Sequence, residues 1–215
     1  MMSLPIGLSL PIILLAAYLV GSLPFALIFG RIFAGIDIRE KGSGNAGATN
    51  VYRVLGWKAA AAVLVLDLMK GFLPVFLTPV AALSAGEADA LKIGVLAAVV
   101  IGHAYPLWAG FRGGKGVASS AGGITALYPI AAPFCLAVFA AVLAVSSYVF
   151  LASLVAAWIL PFVYLGVTWI RGSALSVTLL IFFCLIPLGI TWLHRKNIRR
   201  LIRGEETKFH FKKVE

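Results

Sequence analysis

Residues 4–29 read LPIGLSLPIILLAAYLVGSLPFALIF, a run with no Lys, Arg, Asp or Glu, and Arg31 follows almost at once. About 20 apolar residues at 1.5 Å each cross roughly 30 Å of hydrocarbon, so this run is long enough to span a bilayer. It lacks a basic leading segment and exceeds the 7–15 apolar residues of a secretory leader, so it predicts a retained first transmembrane helix. Comparable runs lie at roughly 58–83, 91–110, 130–147, 149–170 and 174–194.

The whole chain agrees with that reading. Of 215 residues, 61% are hydrophobic and only 12% charged, with a mean hydropathy of +1.02. Soluble domains carry about a quarter charged residues, so no water-compatible surface is available and the bilayer is the solvent. The net charge of +10 is concentrated at Arg31–Lys58, at Arg112 and Lys115, and from Arg195 to Lys213. Basic segments flanking apolar spans mark the cytoplasmic side; a nucleic-acid partner would need a soluble basic face and is excluded. Cys135 and Cys184 stand far apart in apolar runs, as small hydrophobes, and neither cysteine spacing nor a carboxylate cluster suggests a metal.

Charge also counts the spans. Residues 1–30 hold no Lys or Arg, whereas Arg31, Arg39, Lys41, Arg53 and Lys58 follow, so the N-terminus is predicted outside and the first loop inside. The tail bearing Arg195, Lys196, Arg199, Arg200 and Arg203 is predicted inside as well. Two cytoplasmic segments require an even number of crossings between them, and the five later runs are one short. The missing crossing falls on 115–129, roughly 21 Å if helical and rich in Gly, Ser and Ala, which allow close helix packing. Pro129 and Pro133 punctuate its exit and the entry of the next helix. The predicted fold is all-α and polytopic: about seven transmembrane helices including one short one, C-terminus cytoplasmic, in a single domain over 1–215.

Three polar stretches interrupt this pattern, at 42–53, 102–117 and 194–208. The first runs Gly42-Ser43-Gly44-Asn45-Ala46-Gly47-Ala48-Thr49-Asn50 and closes at Arg53. Its literal G-x-G-x-x-G follows a membrane helix and no strand, so it is not a dinucleotide fingerprint. Gly42, Gly44 and Gly47 free the backbone to turn N–H groups toward an anion, and Ser43, Asn45, Thr49 and Asn50 add uncharged donors. A helix beginning near Asn50 would aim its positive end at the same place. The second stretch joins Gly102-His103-Ala104-Tyr105-Pro106 to Arg112-Gly113-Gly114-Lys115-Gly116. Ala109 occupies the first-glycine position of a P-loop and Gly116 the magnesium-ligand position, so this is no Walker motif. A glycine turn presenting Lys115 still suits a phosphate, whereas Arg112 beside it reads equally as a phosphate ligand or a positive-inside anchor. His103 reads equally as an interior hydrogen-bonded histidine. In the third stretch His194 and Asn197 are i, i+3 neighbours on a helix, amid arginines that anionic lipid would hold. Asp67 and Lys70, also i, i+3, are intramembrane charges that can pair and support the site.

Together Gly-Ser-Gly-Asn-x-Gly-Ala-Thr-Asn-x-x-Arg, Gly-His-x-x-Pro followed by Gly-Gly-Lys-Gly-Val-Ala, and His-x-x-Asn-Ile-x-Arg-Leu resemble the bacterial membrane glycerol-3-phosphate acyltransferases that use acyl phosphate as donor. The resemblance covers nearly the whole chain; Arg112 stands where that family often has Lys, and the tail after Gly204 is longer. It implies acyl transfer to the sn-1 hydroxyl of glycerol 3-phosphate, yielding lysophosphatidate and inorganic phosphate, the first step of phospholipid synthesis. It also implies the bacterial inner membrane, multi-pass, with the site on the cytoplasmic face and no cofactor. The His-x4-Asp signature of other glycerolipid acyltransferases is absent: Trp108 stands five residues after His103 and Arg199 five after His194. On this resemblance Ser43, Arg53, Lys115, His194 and Asn197 are the catalytic set. Ser43, Asn45, Thr49 and Asn50 cradle one phosphate, with Gly42, Gly44, Gly47, His103, Arg112, Gly113, Gly114 and Gly116 completing the binding loops. His194 and Asn197 orient glycerol 3-phosphate, and the base is His194, His103 or the donor's own phosphate. A transporter or channel for a phosphorylated metabolite is the alternative, weakened because the polar motifs sit at one face and no internal repeat is present.

Overall fold

The computed structural model describes residues 6–210, and every regular element among them is helical. The helices group into two compact units, Met1–Pro129 and Ile130–Glu215.

In the first unit the opening apolar run is two helices, α1 (Ile6–Gly21) and α2 (Phe25–Ala34). The sequence predicts one uninterrupted helix over 4–29; Leu4 and Pro5 lie outside the described residues. Pro24 makes the break, because it lacks an N–H and its ring crowds the preceding turn. Gly35, left-handed at φ 65°, ends α2 by returning its N–H to the Arg31 carbonyl. A short 3₁₀ turn at Ile38–Glu40 follows, capped by the Asp37 carboxylate on the Arg39 N–H.

Helix α3 (Ala48–Leu55) stops at Gly56, and α4 (Trp57–Phe76) then runs through the apolar segment predicted to reach residue 83. It ends earlier because Pro79 disfavours helical backbone at Thr78. Helix α5 (Ala85–Ala104) begins six residues before the predicted 91. Its start is set by a capping box, in which the Ser84 side chain accepts the Glu87 N–H while the Glu87 carboxylate accepts the Ser84 N–H.

The short helix expected within 115–129 is α6 (Val117–Leu127). It lies tightly along α4: a Cβ on Gly71 would collide with the Ser119 carbonyl, and one on Gly122 with that of Leu68. Gly123 meets the Leu96 side chain of α5 in the same way. Small residues therefore bring these backbones into direct contact, the packing mode available where hydrocarbon surroundings remove the hydrophobic drive between helices.

The second unit comprises α7 (Ala131–Ser146), α8 (Val149–Trp158), α9 (Leu160–Arg171), α10 (Val177–Leu193) and α11 (Arg195–Ile202). Pro161 sits in the first turn of α9, where a missing N–H costs no hydrogen bond. Tyr164 ties α9 to the start of α10, its hydroxyl accepting the Ser176 N–H at 2.8 Å. Helices α10 and α11 meet at His194 with a 60° bend.

Among the described residues, four stretches are long and apolar enough to cross a membrane: Leu10–Ala34, Trp57–Phe76, Ala85–Ala109 and Val149–Arg171. The bent α10–α11 pair makes a fifth if taken as one span. Helices α6 and α7, with 11 and 16 residues, are shorter.

Candidate active site

Asn50 shapes the first glycine loop from beneath. It is 1% exposed, and its amide nitrogen donates to the carbonyls of Ile38 (2.9 Å) and Lys41 (3.1 Å). Its Oδ1 accepts the Ser43 N–H at 2.7 Å and the Ser43 hydroxyl at 3.1 Å. Both donor hydrogens and the acceptor are thus engaged, as a buried amide requires. The predicted phosphate donor is therefore a loop organiser, and Ser43, Asn45 and Thr49 are the half-buried polar side chains of this segment, the Ser43 hydroxyl being turned toward Asn50.

The glycines follow from this arrangement. Gly42 and Gly44 adopt φ of 61° and 74°, and any Cβ on Gly42 would strike the Asn50 Oδ1. Gly47 is extended and precedes the first turn of α3, so the helix begins at Ala48, two residues before the predicted start, and is separate from α4. Arg53 is half-buried on α3, one turn beyond Thr49.

The second loop folds back on the end of α5. The Gly113 N–H donates to the Ala104 carbonyl and the Gly114 N–H to the His103 carbonyl, both at 3.1 Å. These two donors, predicted to face an anion, instead satisfy carbonyls that the helix end leaves open. Their lack of side chains is a packing need: a Cβ on Gly114 would meet the His103 ring and the Ala46 carbonyl. Gly114 is thus where the two glycine loops touch. Gly116, left-handed at φ 73°, turns the chain into α6 after the half-buried Lys115, while Arg112 is exposed.

Arg39, read from the sequence only as a topology charge, joins the same two loops. Its Nη1 donates to the carbonyls of Ala109 (2.8 Å) and Arg112 (3.0 Å), while Nε and Nη2 grip the Asp37 carboxylate. The guanidinium holds the Asp37 carboxyl below the usual carboxylate range. A spacing of about 70 residues gives no local signal of this contact.

Beneath the loops lies a buried polar cluster. Lys70 Nζ stands 2.7 Å from Asp67 Oδ1, the pairing predicted from their i, i+3 spacing, and donates to the Leu23 carbonyl at 3.0 Å. The α1–α2 break frees that carbonyl, so the lysine caps a helix interruption as well as a carboxylate. His103 Nδ1 lies 3.3 Å from Ser119 Oγ and 3.7 Å from Asp67 Oδ1. A small cavity opens between this cluster and the loops, lined by Pro24, Ala46, Asp67, Lys70, His103 and Gly114 among others. His103 therefore sits as an interior support under Gly114. No group of three or more His, Cys, Asp or Glu suited to a metal ion occurs among the described residues.

The third stretch belongs to the second unit. His194 is 2% exposed, and its Nδ1 lies 2.8 Å from the Ile190 carbonyl. A carbonyl only accepts, so Nδ1 carries a hydrogen in this contact. The Asn197 amide donates to Glu206 Oε1 at 2.7 Å, and Arg200 Nε donates to the other oxygen at 2.9 Å. Gly204, at φ 70°, turns the tail back so that Glu206 reaches both. The tail thus includes a residue that fixes Asn197, which the basic pattern of α11 conceals.

Residues 11–204 match the family described as "Glycerol-3-phosphate acyltransferase". The glycerol-3-phosphate acyltransferase of Salinibacter ruber is 43% identical over 210 residues, covering 93% of this chain and 92% of that protein. That of Desulforamulus reducens is 41% identical over 202 residues, covering 94% and 96%. Two crystal structures of PlsY (YgiH), an integral membrane glycerol 3-phosphate acyltransferase, are similar in fold. The glycerol 3-phosphate form aligns with a TM-score of 0.82 at 36% identity, covering 94% of this chain and 96% of that one. The lysophosphatidic acid form aligns at 0.79 and 35%. With nearly its full length matched at this identity, the chain belongs to the glycerol-3-phosphate acyltransferase family.

Proposed function

We propose that this protein transfers a fatty acyl group from acyl phosphate to the sn-1 hydroxyl of glycerol 3-phosphate, releasing lysophosphatidate and inorganic phosphate. The observation that carries the reading is the contact of two glycine loops at Gly114, which puts Ser43 and Arg53 on one and Lys115 on the other. Family membership supplies the acceptor; the donor is the one that the sequence resemblance implies, and its chemistry suits the residues present. An acyl phosphate is a mixed anhydride, already activated, so the protein need only hold two anions together and stabilise the departing phosphate. Proximity of this kind contributes about 7–11 kcal/mol in favourable cases.

In this mechanism the glycerol hydroxyl oxygen attacks the acyl carbon, the bond from that carbon to the phosphate oxygen breaks, and the phosphate leaves with the bonding pair. Ser43, Asn45 and Thr49 cradle one phosphate, with Asn50 holding their loop in shape. Arg53 and Lys115 neutralise charge, and Arg112 draws anions to the loops. His194 and Asn197 orient glycerol 3-phosphate. The hydroxyl proton passes to His194 Nε2 or to the donor's own phosphate, while His103, packed under Gly114, serves as support. Seven crossings, formed by α1–α2, α4, α5, α6, α7, α8–α9 and α10, place the N-terminus outside and all three loops at the cytoplasmic face of the inner membrane; the basic residues flanking those loops support this orientation.

The test is a purified assay in detergent with acyl phosphate and glycerol 3-phosphate, and acyl-CoA and acyl carrier protein as parallel donors. Phosphate and lysophosphatidate appearing in equal amounts from acyl phosphate alone is the expected result. Turnover with acyl-CoA but not with acyl phosphate would refute the donor assignment. A His194→Gln variant with near-normal turnover and pH dependence would remove His194 as the base.

A further inference from the structure

We propose that Arg39 is a positioning residue that sets the spacing between the two anion-binding loops. Its guanidinium is committed almost entirely to the protein. Nε and one Nη2 hydrogen go to Asp37, at 2.9 and 2.6 Å, and the two Nη1 contacts go to the Ala109 and Arg112 carbonyls. The Asp37 carboxylate balances its charge, so this arginine is a poor attractor of substrate phosphate. It is, however, four residues from Ser43 on one side and, through the Arg112 carbonyl, three from Lys115 on the other.

Three further observations point the same way. The turn that Arg39 grips contains Gly110 at φ 62° and Phe111 at φ 59°, two left-handed residues in succession. Such a conformation is unfavourable for phenylalanine and persists where surroundings over-determine it. The Phe111 side chain is exposed, so its own burial does not hold the turn; the arginine fork spans it from Ala109 to Arg112. On the other side, Asn50 binds the Ile38 and Lys41 carbonyls, so the chain on both sides of Arg39 is fixed to the Ser43 loop. The resulting linkage runs from Asn50 through residues 38–43 and Arg39 to 109–112. It is a second tie between the loops, independent of the Gly114 contact.

The inference rests on the acyltransferase reading only for its kinetic consequence. Each loop would still bind its own anion if Arg39 were lost, but the two reacting groups would no longer be held in register. Misplacement of about 1 Å can cost 100-fold in rate. Arg39→Gln is therefore expected to lower kcat by roughly 10–100-fold while the KM for each substrate changes less than about threefold. Arg39→Lys, which keeps charge but cannot fork, is expected to recover only a small part of that loss.

The experiment combines steady-state kinetics with hydrogen–deuterium exchange of the purified full chain in detergent, for wild type, Arg39→Gln, Arg39→Lys and Asp37→Asn. Faster amide exchange confined to 107–116 and 37–44, with kcat reduced and the melting temperature little changed, is the expected result. Asp37→Asn, which loosens the fork, is expected to resemble a mild Arg39→Gln. Unchanged exchange in 107–116 would overturn the proposal. So would a rise in KM for one substrate that Arg39→Lys rescues and Asp37→Asn reverses, because that pattern belongs to a direct anion ligand. A wild-type protein inactive with acyl phosphate would instead refute the donor assignment, leaving the exchange measurement to decide on Arg39.

Discussion

Replacing Asn50 by alanine removes the side chain that folds the first glycine loop, and its cost can be worked from the contacts. Four hydrogen bonds disappear: two to backbone carbonyls, one from the Ser43 N–H and one from the Ser43 hydroxyl. A typical net value is about 1 kcal/mol each, and buried groups left unpaired cost about 1–3 kcal/mol. Ile38 is fully buried, so its carbonyl gains little from water, whereas exposed Lys41 and half-buried Ser43 regain part of their loss. The sum is about 2–4 kcal/mol of local stability, most of it carried by residues 38–47. Asn50→Asp should be at least as damaging, because its second oxygen would face the Ile38 and Lys41 carbonyls. Thermal unfolding in detergent, with acyl transfer measured on the protein that remains folded, makes the comparison. Either variant retaining wild-type melting and turnover would refute the view of Asn50 as loop organiser.

Other substitutions probe the rest of the framework. Gly71→Ala should destabilise by about 1–3 kcal/mol, since the new methyl meets the Ser119 carbonyl, while Gly166→Ala, with open space around it, should be neutral or mildly stabilising in the same melt. Lys70→Met leaves Asp67 buried without its cation and should cost about 3–5 kcal/mol, whereas Asp67→Asn combined with Lys70→Met should cost less; a double-mutant cycle in detergent reads the difference. Asp37 has its folded-state pKa depressed by Arg39, so its stabilising contribution is fully present above its unfolded value of about 3.9 and is lost as pH falls through the lower folded value. Amide exchange in residues 107–112 should therefore accelerate below about pH 4 in wild type, and Asp37→Asn should abolish that acid step.

Features governed by local chemistry were legible in the chain. A short helix within 115–129 is legible in its apolar, small-residue stretch and is present as α6, and the i, i+3 spacing of Asp67 and Lys70 announces their pair. The breaks at Pro24 and after Phe76, and the early start of α5 at Ser84, carry proline and capping signals that hydropathy windows override. Contacts between distant segments were hidden. Nothing near Arg39 marks the Ala109 and Arg112 carbonyls as its partners, and nothing in the α11 pattern marks Glu206 as the anchor of Asn197. Asn50 and the Gly113–Gly114 pair illustrate a different difficulty. A donor-rich glycine loop can spend its donors on a ligand or on its own backbone, and residue type alone does not distinguish the two.

The proposed mechanism requires all three motif loops to open on one side of the membrane. Single cysteines introduced as Lys41→Cys, Phe111→Cys and Arg199→Cys, in a background with Cys135 and Cys184 replaced by serine, report their sides through a membrane-impermeant thiol reagent. Labelling in inside-out vesicles and protection in right-side-out vesicles at all three positions is the predicted result. Any one of them labelling from the external side would contradict a shared cytoplasmic site.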